Sequence, residues 1–156
     1  MKLGWFSLYN LVLGLWVGGT ALFTFVMTPV IFRSYGRDMA GEIVGKLFPG
    51  YFLFTLVISV FAFILFFPAA DDRSLPAARL SLMLLTAALC INTYVSFKLY
   101  PDVVKIKQQI SSFEHEAADS PGRKQFSRLH AVSASLNLLV LLDGVVLLVI
   151  GPALKR

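Results

Sequence analysis

The sequence predicts an all-α integral membrane protein: a four-transmembrane-helix bundle with a short interfacial amphipathic helix between spans one and two. Of the 156 residues, 57% are hydrophobic and 15% are charged, and the mean hydropathy is +0.75. Soluble domains carry about 25% charged residues. Four apolar stretches, each of roughly the 20 residues that a bilayer crossing requires, nearly fill the chain. We therefore expect a single membrane domain over residues 1–156.

Span one is predicted at residues 8–32. At about 100° per residue, Gly14 and Gly18 share one side of this helix with Thr24 and Thr28. Paired small residues let a neighbouring helix approach closely, and threonines hydrogen-bond across helices. We expect this side to be the packing surface that faces the bundle. The other side carries the aromatic residues Trp5, Tyr9 and Trp16.

Residues 34–48 are predicted to form the interfacial helix. They give an apolar arc and a polar arc when drawn as a helix, which is typical of a segment lying on the membrane surface. Glu42 and Lys46 are four residues apart in the order that favours an ion pair. Gly41 and Gly45 would let the segment press against another helix. A surface linker and a functional lid both remain open.

The other three spans are predicted at residues 50–67, 78–100 and 130–152. Pro101 is expected to close span three. Apolar residues beyond this proline indicate that the helix continues for some turns into the polar loop at 102–129.

Span four opens on His130 and carries Ser133 and Asn137 on the same narrow stripe of an apolar segment. Unpaired polar groups are costly in hydrocarbon, so this stripe should face protein or trapped water. Asp143 lies off the stripe. An ionisable residue at that depth is a functional candidate, and the alternatives are a neutral acid or one that reaches the outer interface.

Polar residues of the spans converge at one membrane face, where spans one and three end and spans two and four begin. We predict a polar pocket here between spans one, three and four, capped by residues 34–48, with His130 as its ligand or proton-exchanging group. Alternatively, His130 is an interfacial residue bonded to a loop carbonyl, and the other polar groups only join helices. The pocket residues are predicted to be Thr28, Glu42, Lys46, Tyr51, Asn92, Ser96, His130, Ser133 and Asn137.

Positive charge indicates the orientation of the chain. Loops one and three and the span ends beside them carry nine of the 14 lysines and arginines. The positive-inside rule places these loops in the cytoplasm, as expected for a multi-pass protein of a bacterial inner membrane. The nine residues are Arg33, Arg37, Lys46, Lys98, Lys105, Lys107, Arg123, Lys124 and Arg128.

The sequence leaves the cofactor open. His130 permits haem or a metal ion but indicates neither, because His115 is the only other histidine and a zinc site draws three or four ligands. Cys90 is the only cysteine, which excludes a disulfide within the chain. The sequence contains no tract of lysines and arginines that would predict nucleic-acid binding. No nucleophile-and-base pattern, phosphate loop or dinucleotide fingerprint is present, so a hydrolytic enzyme ranks last and enzymatic activity in general is left open.

Several blocks of the sequence resemble the transmembrane-protein-205-like family of small four-helix membrane proteins, which is largely a domain of unknown function. The resemblance implies metal or solute handling, since animal members are associated with platinum-drug resistance and membrane trafficking. Helix one is also distantly similar to copper-resistance-D and haem-biosynthesis families, in which a histidine stands where this chain has Tyr9. The blocks are Leu15-Trp16-Val17-Gly18-Gly19, Phe25-Val26-Met27-Thr28-Pro29-Val30-Ile31-Phe32, Ala40-Gly41, Gly45-Lys46-Leu47-Phe48-Pro49-Gly50-Tyr51-Phe52, and Leu129-His130 with Ser133 and Asn137.

Three functions are therefore considered. The first is binding or transport of a small solute or metal ion through the intramembrane pocket around His130. The second is a haem-associated redox or biosynthetic membrane protein. The third is a non-catalytic scaffold or assembly protein that uses the Gly-x-x-x-Gly surfaces as contacts. In each case the lipid bilayer is a partner, and a homo-oligomer is plausible because four short helices enclose little pathway.

Overall fold

The computed structural model describes residues 2–70, 72–117 and 119–155, and all regular secondary structure in these ranges is helical. Four long helices, α1 to α4, form an antiparallel bundle. Each is long and apolar enough to cross a membrane. The chain is thus a multi-pass integral membrane protein of the predicted fold class.

Helices α1 and α2 form the first antiparallel pair. Helix α1 consists of an α-helical part, Lys2–Ala21, a π-helical turn, Leu22–Met27, and a second α-helical part, Thr28–Ser34. Helix α2 runs without interruption over Arg37–Ala69. The segment predicted as a separate interfacial helix is therefore helical, but from residue 37 onward it forms the first turns of α2.

Helices α3 and α4 form the second pair. Helix α3 consists of Pro76–Tyr94, a π-helical turn at Val95–Leu99, and Tyr100–Lys107. The predicted continuation of this helix beyond its proline is confirmed. Helix α4 covers Pro121–Ile150 and ends in a 3-10 turn, Gly151–Lys155. The polar loop is thus shorter than predicted.

Pro29 and Pro101 lie inside long helices without ending them, because each follows a π-helical turn. The backbone N–H and the hydroxyl of Thr28 both donate to the Phe23 carbonyl, just before Pro29. The N–H of Tyr100 donates to the Val95 carbonyl, just before Pro101. Since proline lacks an N–H, the wider turn rearranges the hydrogen bonds so that the helix continues. Pro101 therefore does not end its helix, which agrees with the predicted continuation of the helix beyond it.

The buried side of α1 is not the predicted one. Tyr9, Trp16 and Thr20 are fully buried. Gly14 and Gly18 are exposed, and nothing lies within 4 Å of the position that a Cβ would take on either of them. The expectation that these glycines form the packing surface inside the bundle is therefore wrong. Their contact with a second molecule stays a prediction.

The π-helical turn of α1 explains this difference. A π-helix closes i→i+5 hydrogen bonds and holds more residues per turn than an α-helix, so each residue rotates the chain by less than the regular period. Across Leu22–Met27 this change of phase brings Thr24 and Thr28 to the side of Trp16. A wheel of constant period places them with the glycines instead.

The bundle has two cores. In the half remote from the basic loops, Trp16 packs on Gly144, where a Cβ would lie 2.8 Å from Cγ2 of Val17. Similarly, Gly19 leaves room for the ring of Phe54, whose nearest atoms are 2.7 Å from the Cβ position. In the other half, aromatic rings from three helices form the second core, namely Phe23, Phe48, Tyr51, Phe52 and Tyr100.

The nine basic residues counted above all lie at one end of the bundle, where α1 and α3 end and α2 and α4 begin. We call it the basic end. The described part of the loop between α3 and α4, residues 108–117 and 119–120, crosses this end and is called the strap. Asp38 at the start of α2 holds the strap by accepting hydrogen bonds from Ser112 Oγ, at 2.5 Å, and from the Phe113 N–H, at 2.6 Å.

Candidate functional site

A cavity of about 590 Å³ lies at the basic end. We call it the end cavity. Its volume is within the roughly 300–1,000 Å³ typical of small-molecule sites. All four helices and the strap contribute to it. The lining residues are Thr28, Phe32, Arg37, Gly41, Glu42, Val44, Gly45, Lys46, Phe48, Tyr100, Val103, Val104, Lys107, Gln108, Phe113, Phe126 and His130.

The charge of the lining is positive. The lining contains three cationic side chains, those of Arg37, Lys46 and Lys107, and one carboxylate, that of Glu42. Lys46 donates to Glu42 across 2.7 Å, in the i,i+4 arrangement that the sequence predicted. Both of these side chains are mostly exposed, so the pair contributes little to stability.

Lys107 has no such partner. Its side chain is half-buried, and its ammonium donates to the Gly41 carbonyl at 2.6 Å. Among the described residues, no carboxylate oxygen lies within 4.0 Å of this ammonium. An ammonium carries three donors, so the lysine has capacity for an anionic group in the cavity.

Gly41 and Gly45 make room for this lysine. Cβ atoms on them would lie 3.8 Å and 3.1 Å from Lys107 Nζ. The predicted close approach of another helix at these glycines thus takes the form of a side chain that crosses from α3. A side chain at Gly45 would displace the ammonium.

Tyr100 makes a second link from α3 to α2. Its hydroxyl donates to the Gly45 carbonyl at 3.3 Å. In a regular helix this carbonyl accepts from the N–H four residues later, but that residue is Pro49. The tyrosine thus supplies the hydrogen bond that the proline removes.

Stacked rings form the wall beneath the strap. Phe113 of the strap packs edge-on against Phe126, with ring centroids 4.9 Å apart. The imidazole of His130 lies parallel to Phe126 at 5.7 Å. His130 forms no hydrogen bond with any residue in the described ranges, so its ring nitrogens are open to the cavity or to solvent. On the other side, the guanidinium of Arg123 lies 5.8 Å from the Phe113 ring centroid.

Glu116 organises the strap internally. Its carboxylate accepts from Ser120 Oγ at 2.6 Å and from the Ser111 N–H at 3.2 Å. These hydrogen bonds favour the charged form and hold the pKa of Glu116 below its ordinary value, with the Ser120 bond as the largest cause. Arg123 Nη1 donates to the Glu116 carbonyl at 2.5 Å. The strap is therefore fixed at both ends, by Asp38 and by the first turn of α4.

A second set of polar side chains, hydrogen-bonded to one another, lies deeper in the bundle. The Tyr51 hydroxyl donates to Asn137 Oδ1, and Asn137 Nδ2 donates to Thr24 Oγ1 at 2.9 Å. This chain joins α2, α4 and α1 within the apolar half of the spans. Its groups satisfy one another, as hydrocarbon surroundings require.

Asn92 makes separate bonds, to the Thr55 carbonyl at 3.3 Å and to Ser59 Oγ at 3.2 Å. It also borders a void of about 10 Å³ shared with Asn137, which is about the size of one water molecule. These bonds join α3 to α2.

The structure thus divides the predicted pocket residues. Thr28, Glu42, Lys46 and His130 line the end cavity, whereas Tyr51, Asn92 and Asn137 join helices below it. Ser96 Oγ is buried without a hydrogen bond in the described part of the chain. The remaining predicted positions are half-buried and line neither space, namely Ser133 and Asp143.

Most of the lining residues were not among the predicted pocket residues, and these include Arg37, Lys107, Phe113 and Phe126. The signal for Lys107 was available, since Gly41 and Gly45 mark a point of close approach and the helix was expected to extend beyond Pro101. The position of the strap depends on its hydrogen bonds with Asp38, which no sequence period predicts. The helical period predicted Thr24 on the packing side of span one. It did not predict the hydrogen bond that Thr24 accepts from Asn137.

The described residues contain no group of three or more histidine, cysteine, aspartate or glutamate side chains placed to hold a metal ion. The end cavity offers instead an apolar wall, a cationic lining and one imidazole. Such a site is suited to an organic anion.

Comparison with known proteins gives one match. No curated protein and no solved structure matches the chain. The family model described as "Domain of unknown function (DUF4149)" matches residues 11–112, which include three spans and most of the lining of the end cavity. The chain therefore belongs to the DUF4149 family of domains of unknown function.

Proposed function

We propose that this membrane protein binds a small organic anion in the end cavity, as part of the binding or transport of that solute. Lys107 carries the proposal. Among the described residues, its half-buried ammonium has the Gly41 carbonyl as its hydrogen-bond partner, and Glu42 and Asp38 are near enough to interact with it without forming an ion pair. Charge-assisted hydrogen bonds to an anion are about twice as strong as neutral ones. In this function Lys107 takes the central role that the sequence analysis gave to His130, and His130 borders the site.

The lining favours an organic anion over a metal ion. Three cations against one carboxylate would repel a metal cation, and Glu42 is already paired with Lys46. Seven of the lining residues are valine or phenylalanine, and such surfaces favour a ligand with an apolar part. The handling of a solute also agrees with what the likeness to the transmembrane-protein-205-like family implies. We further propose that the basic end faces the cytoplasm.

The test uses a fluorescent twelve-carbon carboxylate and purified protein in detergent, with binding followed by fluorescence anisotropy. Lys107→Gln removes the charge, retains an N–H donor and shortens the side chain by one heavy atom. We expect this variant to bind the probe about tenfold more weakly, since a hydrogen bond to a charged group contributes about 1.5–3 kcal/mol and 1.4 kcal/mol is tenfold in affinity.

Lys105→Gln is the matched control. Lys105 lies on the same helix, is 74% exposed, faces Asp102 at 3.9 Å and does not line the cavity. Equal affinity of the wild type and the control, with a weaker Lys107→Gln variant, would support the proposal. Equal affinity of all three proteins, or no binding by the wild type, would contradict it.

The second candidate is haem binding, which the open ring nitrogens and the aromatic surroundings of His130 favour. It predicts a Soret band in protein purified from haem-replete cells, with the band lost in His130→Ala. A colourless protein would exclude this candidate and leave the anion site as the function to pursue.

A further inference from the structure

We infer that the ligand of the end cavity is an amphiphile with a phosphate headgroup, such as an anionic phospholipid, that enters sideways from the bilayer. This inference rests on the proposed function and names its ligand class. It is carried by a lateral gap between α1 and α4, the two cations behind that gap, and the strap that crosses the solvent side.

The gap lies between the last turns of α1 and the first turns of α4. Residues Thr28–Ser34 pack on α2 but make almost no contact with α4. Thr28 and Phe32 line the cavity from one side of this gap, and Phe126 and His130 line it from the other. Phe32 is 46% exposed. We therefore expect the cavity to open between these two helices, near the ends of the apolar spans, where lipid headgroups would lie.

Two cations that line the cavity form no close ion pair with a carboxylate of the described residues. Neither Arg37 nor Lys107 forms an ion pair with a carboxylate in the described ranges, and both line the cavity. Arginine and lysine are the usual partners of phosphate oxygens. Basic pockets between transmembrane helices bind anionic lipid headgroups through this chemistry.

The walls explain why an apolar tail should accompany the headgroup. Val44, Phe48, Val103 and Val104 line the same cavity as the cations. A free phosphate ion would lose its hydration against these side chains without apolar burial in return, because desolvating a charge is costly. An acyl chain buries its own surface against them and continues through the gap into the bilayer.

The strap makes the bilayer the favoured route of entry. Asp38 fixes Ser112 and the Phe113 N–H on the solvent side, and Phe113 and Gln108 line the cavity there. A ligand from water would have to pass the strap or the exposed, charged side chains of Glu42 and Lys46. A ligand from the bilayer would enter past the exposed Phe32 and the rings of Phe126 and His130.

The experiment measures displacement of the fluorescent carboxylate from delipidated protein in mixed micelles. The competitors are phosphatidylglycerol, phosphatidylcholine with the same acyl chains, and glycerol 3-phosphate. We expect phosphatidylglycerol to compete about tenfold better than phosphatidylcholine, and glycerol 3-phosphate not to compete. The preference for phosphatidylglycerol should fall about tenfold in Arg37→Gln and Lys107→Gln and persist in Lys105→Gln.

Three outcomes would overturn the inference while leaving the proposed function in place. Glycerol 3-phosphate could compete as well as the lipid, which would identify a free phosphate compound as the ligand. Phosphatidylcholine could compete equally, which would exclude a role for headgroup charge. Finally, neither phosphatidylglycerol nor phosphatidylcholine could displace the carboxylate, although the carboxylate binds in a Lys107-dependent way. This outcome would exclude a phospholipid as the ligand. Failure of the carboxylate itself to bind would instead overturn the proposed function.

Discussion

At the scale of single residues, Pro49 and Tyr100 act on one backbone carbonyl, that of Gly45. The proline leaves this carbonyl without its helical donor, and the tyrosine hydroxyl of the neighbouring helix takes the donor's place at 3.3 Å. The helix thereby continues through the proline, and α3 is joined to α2 beside the cavity. Because of Pro49, a backbone carbonyl of α2 depends on a hydrogen bond from α3.

This coupling predicts a non-additive pair of substitutions. Tyr100→Phe should lower the free energy of unfolding by about 1 kcal/mol in the native background, because it leaves the Gly45 carbonyl unpaired. In a Pro49→Ala background, the restored N–H satisfies the carbonyl, and the same change should have little effect. Thermal unfolding of the four proteins in detergent gives the coupling. An equal loss in both backgrounds would exclude it.

At the scale of helices, the π-helical turns decide which residues face inward. The sequence allowed the four spans, the inward side of Thr24 and Thr28, and the extension of α3 to be predicted. The turn at Leu22–Met27 changes the phase of α1. A regular helical period therefore places Thr24 and Thr28 correctly on the inward side but wrongly assigns Gly14 to the same side. A π-helical turn has no composition signal of its own in this chain.

Two glycine substitutions test the observed packing of α1. Gly144→Ala places a Cβ 2.8 Å from Val17 Cγ2 and should cost about 1–3 kcal/mol of unfolding free energy through overpacking. Gly14→Ala meets nothing within 4 Å and should leave stability unchanged or slightly raised, since alanine is the better helix former. Both values come from thermal unfolding in detergent.

The same pair also tests the scaffold hypothesis. If Gly14→Ala abolishes a dimer seen for the wild type by native mass spectrometry, the exposed glycines form a contact between molecules. A stability loss at Gly14 equal to that at Gly144 in a monomeric protein would contradict the packing described here.

The strap should respond to pH through Glu116. Because the folded-state pKa of this carboxyl is lowered, its hydrogen bonds stabilise the strap above the carboxyl's ordinary pKa and are lost as the pH falls through the lowered value. The backbone amides of the strap should therefore be better protected from hydrogen exchange at neutral pH than at acidic pH, after correction for intrinsic exchange rates. Part of this gain should be absent in Glu116→Gln.

The control is Glu114→Gln, since the Glu114 carboxylate accepts no hydrogen bond from a described residue. Some pH dependence will remain in Glu116→Gln because Asp38 also holds the strap. Identical profiles for the wild type and Glu116→Gln would contradict a role for Glu116.

At the scale of the whole molecule, the convergence of polar groups at the basic end was predictable, but the shape of the cavity was not. His130, Thr28, Glu42 and Lys46 reach the cavity because the antiparallel spans bring them to one level. Lys107 and Phe113 reach it because of a helix extension and a strap held by Asp38. Such long-range hydrogen bonds leave no periodic trace in a single sequence.

The orientation of the molecule can be tested because Cys90 is the only cysteine. In a Cys90→Ser background, Gln109→Cys at the basic end and Ser74→Cys at the opposite end provide single labelling sites in exposed loops. We expect a membrane-impermeant thiol reagent to label Ser74→Cys in intact cells and Gln109→Cys only after permeabilisation, in accordance with the positive-inside rule. The reverse pattern would contradict the proposed orientation.

If the end cavity holds an anionic amphiphile, photo-crosslinking locates this ligand directly. The measurement uses a single-chain phosphate with a diazirine on its chain, with the adducts mapped by peptide mass spectrometry. We expect adducts concentrated on Phe32, Val104 and Phe126 around the cavity, and we expect them to be lost in Lys107→Gln but not in Lys105→Gln. Adducts spread evenly over lipid-facing residues such as Val149, or unchanged in Lys107→Gln, would contradict this expectation.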